Sequence, residues 1–430
     1  MRRLFLSLTP LALAAGCATV PAQNDMSGPS GSEASSPAIP YDISAGQARL
    51  AARLYPKLAE SAKPNDNLFI SPLSLSEGLG LALPGARGQT ESEMRDLLGW
   101  NAAGRTELLI KGYDRALTRT GDDKVALSVA NALWLSDKLS FAPDYLRAAT
   151  DGFGATEQQV DFGGDPTGSA DTINGWVSDQ TRKRITKIVD ANGFNDLTAA
   201  VLTNAVWFKA DWSVPFEDGS IGVFTRGDGT TMPIYMMERI APMAYRETCE
   251  GQAVQLPYGK DGRFTTEVFL PKDMAILLKW ERDLDGLSFN LATRGSDARF
   301  DLGATKKQEI LLRLPRFEAR FDDSVKAALI AAGMPCAFSD SCADFGAMAN
   351  APLSIDDVAH ATFLRVDEKG TEAAAATATK IVVTGSRRLT DDLPRMIVDR
   401  PFLVTIRDRA SEALIFFGRI PNPTSLEQPQ

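Results

Sequence analysis

One imidazole is available to this chain: His360 is the only histidine in 430 residues. A metal site built on histidines is therefore excluded, and no C-x-x-C pair offers thiolates in their place. Nucleophilic catalysis is as poorly supplied. The chain has no G-x-S-x-G elbow, no S-x-x-K, no Walker A loop and no G-x-G-x-x-G. A Ser-His-Asp hydrolase would have to use His360, which lies in "SIDDVAHATFLRV", a strand-like run after an acidic turn. A lone histidine there reads as a hydrogen-bonding structural residue, so no catalytic residue, metal or cofactor is expected. A net charge of -9 gives no footprint for nucleic acid. The short basic run Arg182-Lys183-Arg184 reads as a solvated face.

Cysteine chemistry is the next possibility. "MRRLFLSLTPLALAAGC" opens with two arginines and a short apolar stretch, and ends on small residues before Cys17. It has the pattern of a secretory signal and is too short to span a bilayer. Its Leu13-Ala14-Ala15-Gly16-Cys17 ending resembles the bacterial lipobox, which implies acylation of Cys17 and makes that lipid the only membrane contact. Ala18 after the cysteine suits sorting to the outer membrane. The expected layout is a signal peptide over 1–16, a disordered Ser/Pro/Gly-rich tether over 17–41 and a C-terminal tail over 424–430. The product is exported: lipid-anchored to the outer membrane or cell surface, or extracellular or periplasmic. In such a compartment Cys336 and Cys342, in "CAFSDSC", can close a small disulfide loop. Cys249 is then expected to be a free, buried thiol.

One further stretch has unusual chemistry because it has so little. "GTEAAAATATKIVV", Gly370 to Val383, begins small and bland and ends β-branched. Read as a strand, one face carries Thr371, Ala373, Ala375, Thr377, Thr379, Ile381 and Val383. Both charges, Glu372 and Lys380, fall on the other face, so the first could be buried without stranding a charge. Alanine favours a helix here; three threonines and the Ile-Val-Val run oppose it. Periodicity leaves the two open.

The elements that must position these residues are helical early and extended late. Ser44 to Ala62 has helical spacing, "SPLSLSEGLGLALPGA" starts another helix capped by Ser71 or Ser74, and Thr90-x-x-Glu93 reads as a capping box. "SADTINGWVSDQTRKRITKIV" and "DDSVKAALIAAGM" are helical. "VALSVANALWLS", "AAVLTNAVWFKADW", "QAVQLPYG", "TTEVFLPK", "EILLRLPRFEARF", "PFLVTIRD" and "ALIFFGRI" are strand-like. With 44% hydrophobic and 23% charged residues, no repeat and no linker after residue 41, this is one α+β domain.

In this order the segments resemble the serpin family over residues 42–423. "NLFISPLSLSEGLGLALPGARGQTESEM", "LTNAVWFKADWSVPF" and "PFLVTIRDRASEALIFFGRIPNP" each match a family segment, and "VDEKGTEAAAATA" matches the hinge of inhibitory members. The resemblance implies a single domain with large mixed sheets, eight or nine helices and an exposed reactive loop over about 368–400. Its hinge would be Glu368, Lys369, Gly370, Thr371, Glu372, Ala373, Ala374, Ala375, Ala376 and Thr377, with Gly370 supplying backbone freedom. Ser71, Ser74, Asn204 and His360 match the polar cluster beneath the point where the main sheet opens. Trp212 matches the tryptophan at the top of that opening.

Family members of this type trap serine proteases as acyl-enzymes by inserting the cut loop into the main sheet. In them the attacked residue follows the hinge glutamate by about sixteen positions, the length at which a strand rising ~3.3 Å per residue runs the sheet. From Glu368 that gives the bond Thr384-Gly385, with Val383, Arg387 and Arg388 as alternatives, since the loop up to Pro401 is longer than usual. The implied partner is a serine protease, with cysteine proteases as further targets, and the implied state is a monomer. The runner-up is a non-inhibitory binding or chaperone protein on the same fold.

Overall fold

Residues 41–100, 109–284, 302, 305–371 and 392–425 are described by the computed structural model. Eight helices occur among them. These are α1 Tyr41–Ser61, α2 Pro72–Ala82, α3 Gly88–Leu98, α4 Ile110–Thr118, α5 Pro143–Arg147, α6 Pro166–Gln180, α7 Met274–Arg282 and α8 Lys326–Ala331. The first strands are β1 Leu68–Ile70, β2 Val125–Ser136, β3 Thr156–Val160, β4 Ala200–Asp211 and β5 Glu217–Thr225. β6 Thr231–Glu247, β7 Gly251–Pro257, β8 Phe264–Pro271, β9 Lys307–Pro315 and β10 Phe317–Ser324 follow. The last are β11 Ala359–Val366, β12 Gly370–Thr371, β13 Arg395–Ile397, β14 Phe402–Asp408, β15 Leu414–Ile420 and β16 Thr424–Ser425.

Two sheets divide these strands. The nine-stranded sheet runs β1-β15-β14-β8-β7-β6-β9-β13, with β5 added on β6. Every residue of β14 and β15 is buried, as their near-continuous apolar sequences require. The seven-stranded sheet runs β16-β10-β11-β12-β4-β2-β3. α2 packs on both β4 and β15, and nearly all its residues are buried, as expected of a helix apolar on every side.

Four details differ from the sequence reading. "EILLRLPRFEARF" is two strands, one in each sheet, and the buried Arg316 is the corner between them. α6 stops at Gln180 because the Thr181 hydroxyl bonds Val177 O and receives Ile185 N, closing a turn with Arg182 and Lys183 at positive φ. Thr90 and Glu93 form no capping box: they receive Asp344 N and Cys336 N, anchoring the neighbouring loop to α3. Thr424 and Ser425, read as tail, pair with Glu318 and Phe317.

Candidate functional site

The site is the seam between β11 and β4. These strands run parallel, because β12 is antiparallel to both. Among the described residues they are joined only through the two residues of β12, with Thr371 opposite Val366 on one side and Ala210 on the other. Two ladder spacings put their axes ~10 Å apart at that row, room for one strand between them. The registers with β10 and β2 are unbroken downward, Asp323 facing His360 and Asn131 facing Asn204. His360 and Asn204 each lie six residues below the Thr371 row. They therefore stand level, one on each wall of the seam.

At the top, a tight turn makes β12 fold back on β11. The Asp367 carboxylate accepts from Lys369 N (2.9 Å) and Gly370 N (3.3 Å), and Asp367 N donates to Gly370 O (2.9 Å). Burial, opposed by these bonds, raises the Asp367 carboxyl above its usual range. The turn is pinned from outside. Arg316 pairs with Glu368 while its guanidinium lies over the Tyr235 ring. Trp212 gives its indole N–H to Asp367 O (2.9 Å) and its backbone N–H to Lys369 O (2.7 Å). The indole stacks on Tyr258 with centroids 4.4 Å apart, and the Tyr258 hydroxyl meets Thr371 Oγ1 at 2.5 Å and Thr266 Oγ1 at 2.6 Å. Thr371 is 1% exposed, with its side chain on the core face.

Gly370 is needed for a reason its sequence does not show. It has no positive φ; a Cβ there would lie 1.9 Å from Ala210 O, so a side chain would push β12 off β4. Close approach selects glycine here.

Lower down, α2 reaches both walls. Ser71 caps α2 by accepting Ser74 N (3.1 Å) and donates its hydroxyl to Ile415 O (2.7 Å). Ser71 N donates to His360 Nε2 at 3.0 Å, so that nitrogen carries no proton. Burial pushes the imidazole down to about 3, a neutral structural histidine. Asn204 is not joined to this group by any hydrogen bond among the described residues. It donates instead to Glu77 Oε2 (3.1 Å) on α2 and to Asn131 Oδ1 (2.9 Å). The expected four-residue cluster is thus two groups, Ser71-Ser74-His360 and Asn204-Asn131-Glu77, on opposite sides of the seam.

Sequence reasoning missed Arg316, Tyr258, Glu77 and Asn131. Only Arg316 carried a signal, as a cation interrupting an apolar strand run. Cys336 and Cys342 are bonded, with Cα atoms 5.1 Å apart. Cys249 is exposed and is not a free thiol, contrary to expectation. The expectations for Glu372, Ala373, Ala374, Ala375, Ala376 and Thr377, for Thr384-Gly385 and its alternatives Val383, Arg387 and Arg388, and for Cys17 concern residues outside those described. No group of metal-binding side chains occurs among the described residues.

Comparison with known proteins places this geometry. A family model described as "Serpin (serine protease inhibitor)" matches residues 45–423. Antithrombin-III of Mus musculus is 32% identical over 394 residues, covering 89% of this chain and 82% of the relative. A serpin-like protein of Thermococcus kodakarensis is 34% identical over 382 residues, covering 86% and 83%. Among solved structures, Serpin48 of the insect Tenebrio molitor superposes with a TM-score of 0.74 at 25% identity, covering 90% of this chain and 99% of that one. Uncleaved ovalbumin has the same fold at 21% identity, with a TM-score of 0.75 and 89% and 100% coverage. The match to the family model over residues 45–423, together with relatives more than 30% identical along most of both chains, puts this protein in the serpin family.

Proposed function

We propose that the protein is a suicide inhibitor of serine proteases that works by adding its cut reactive loop to the seam between β11 and β4. The observation that carries this reading is Thr371, already paired on both sides and facing the core. Its orientation supports the parity of the following stretch. Continuing the strand in register brings Ala373, Ala375, Thr377, Thr379, Ile381 and Val383 inward, and leaves Glu372 and Lys380 outward. Thr377, six residues beyond Thr371, would come onto the row of His360 and Asn204.

In the reaction the protease's serine oxygen attacks the carbonyl carbon of Thr384. The bond to Gly385 breaks, Gly385 leaves as a free amine, and the protease remains esterified to Thr384. The freed strand then inserts, towing the enzyme. Thirteen residues, Thr371 to Val383, span roughly 43 Å at ~3.3 Å each. About a dozen new backbone bonds at ~1 kcal/mol net make the step effectively irreversible. No side chain of the inhibitor is needed for catalysis.

Small residues before the bond suit elastase-like or subtilisin-like pockets. Incubation with such an enzyme should give a complex that survives boiling in detergent, and the released C-terminal peptide should begin at Gly385. A peptide starting at Arg388 or Leu389 would move the bond to the arginine pair. Reversible binding alone across a broad protease panel would overturn the inhibitor reading in favour of a binding or chaperone role. We further propose export and lipid anchoring through Cys17, on the lipobox-like leader; cell fractionation should find the wild type with membranes and Cys17→Ser in the soluble fraction.

A further inference from the structure

Beneath the β4 wall lies a pair of acids with no cation to balance them among the described residues. Glu77 is fully buried on α2, and Asp114 on α4 has its Oδ1 shut off from solvent. Glu77 Oε2 is held by the amides of Asn131 (3.0 Å) and Asn204 (3.1 Å), and Asn131 also donates to Phe153 O (3.3 Å). Glu77 Oε1 and Asp114 Oδ1 have no donor. The two carboxyls face each other at hydrogen-bonding range. Two carboxylates cannot hydrogen-bond; one must hold a proton. The other groups facing the pair are Tyr113 of α4, whose hydroxyl is tied to Ser44 and Gln47 of α1, and the two asparagines. Among the described residues no Lys, Arg or His acts on either acid.

We propose that the Glu77–Asp114 pair is a proton-dependent latch on the seam: a shared proton packs α4 against α2 beneath the β4 wall, and losing that proton loosens the packing. The inference rests on the insertion reading above. With its proton, the pair is a neutral or singly charged bridge that packs α4 against α2 without water. As protons leave, charge accumulates in a site where the described residues supply no counter-ion, and states that admit water between α4, α2 and β4 are favoured. Asn204 is the link, since it is both a wall residue and a ligand of Glu77.

Burial pushes the Glu77 carboxyl up to about 7, against its hydrogen bonds to Asp114, Asn131 and Asn204. Burial, then the Glu77 charge, raises Asp114 well above the carboxylate range. A carboxyl raised on folding binds its proton more tightly in the folded state, so its contribution falls as pH rises from the unfolded value of 4.5 to about 7. His360, pushed down from 6.5 to about 3, acts oppositely, its contribution rising between those values. The two offset each other over the shared range, which is why a variant is needed to see the pair.

The test compares wild type, Glu77→Gln and Asp114→Asn between pH 5 and 8. In denaturant unfolding, the wild type should lose ground against Glu77→Gln by about tenfold in the unfolding constant per pH unit up to about pH 7. Asp114→Asn keeps a donor to Glu77 and should shift the remaining titration downward. A synthetic peptide of the sequence 373–384, added as a surrogate strand, should anneal several-fold faster to wild type at pH 8 than at pH 6, and at one rate to Glu77→Gln. Parallel unfolding profiles for all three proteins, or equal pH dependence of annealing in Glu77→Gln, would overturn the latch. If the peptide anneals at no pH while the unfolding profiles still diverge, the proton pair stands and the insertion reading falls.

Discussion

The two sheets hold their buried polar groups in opposite ways. Around the nine-stranded sheet the buried groups include charged, paired ones. Arg419 meets Glu281 at 3.2 Å with both side chains 2% exposed, Tyr55 donates to the same carboxylate at 3.1 Å, and Arg263 makes two 2.8 Å bonds to the buried Asp408. Along the seam of the seven-stranded sheet the hydrogen-bonding side chains of Ser71, His360, Asn204, Asn131, Thr371 and Tyr258 are neutral, and the acid that joins them is Glu77. Arg316–Glu368, at the top, is an ion pair on the hinge. A neutral hydrogen bond is worth ~1 kcal/mol net and can be exchanged for another. A buried ion pair cannot be parted without stranding a charge. One sheet is therefore a frame, and the other contains the part that can be rearranged.

The largest effect should come from breaking the frame. Arg419→Ala leaves Glu281 buried and unpaired and should cost about 3–5 kcal/mol in denaturant unfolding, with the ratio of trapped to cut inhibitor unchanged among folded molecules. A loss of trapping as well would erase the distinction between frame and seam.

Thr371→Arg should do the reverse. A guanidinium at this buried position carries a desolvation cost of several kcal/mol, and β12 can avoid it by leaving the sheet. The fold should survive while the protein is cleaved as a plain substrate, read as loss of the covalent band on a denaturing gel. Trapping at the wild-type ratio would remove Thr371 from the hinge.

The smallest change is Tyr258→Phe, which deletes one hydroxyl shared by Thr371 and Thr266. It should cost about 1 kcal/mol and slow trapping a few-fold. A penalty as large as that of Arg419→Ala would mean that the seam is as rigidly held as the frame.

What the sequence made legible was what repeats along one dimension. The alternation from Gly370 to Val383 is a period-two pattern, and Thr371 faces the core as that pattern requires. β2, β4, β14 and β15 were readable for the same reason, as apolar runs. The rest depends on contacts between distant residues. Tyr258 meets Thr371 across 113 positions, and Glu77 meets Asn204 across 127; neither spacing leaves a mark in the chain. Local rules failed where a tertiary partner outbid them: Thr90 and Glu93 are claimed by the loop at Cys336, and Gly370 by a carbonyl of β4. The end of α6 was misread because its turn uses two residues with side chains, where a glycine would have announced the break.

The Asp367–Gly370 turn has a kinetic consequence. Adding a strand to a sheet is slow when two separated segments must first find each other, because the chain between them has to be closed into a loop. Here that closure precedes any encounter: β11 and β12 already form a hairpin, with one registered pair to β11 and two to β4. A cut that frees the loop would start no search and choose no register. It would release a growth process one residue at a time from a finished nucleus, on the ~1–10 μs scale of hairpin formation and slowed mainly by the drag of what it pulls. On the inhibitor reading proposed above, the contest between trapping and escape would then be decided by the cargo and by the seam's grip, and not by chance collision.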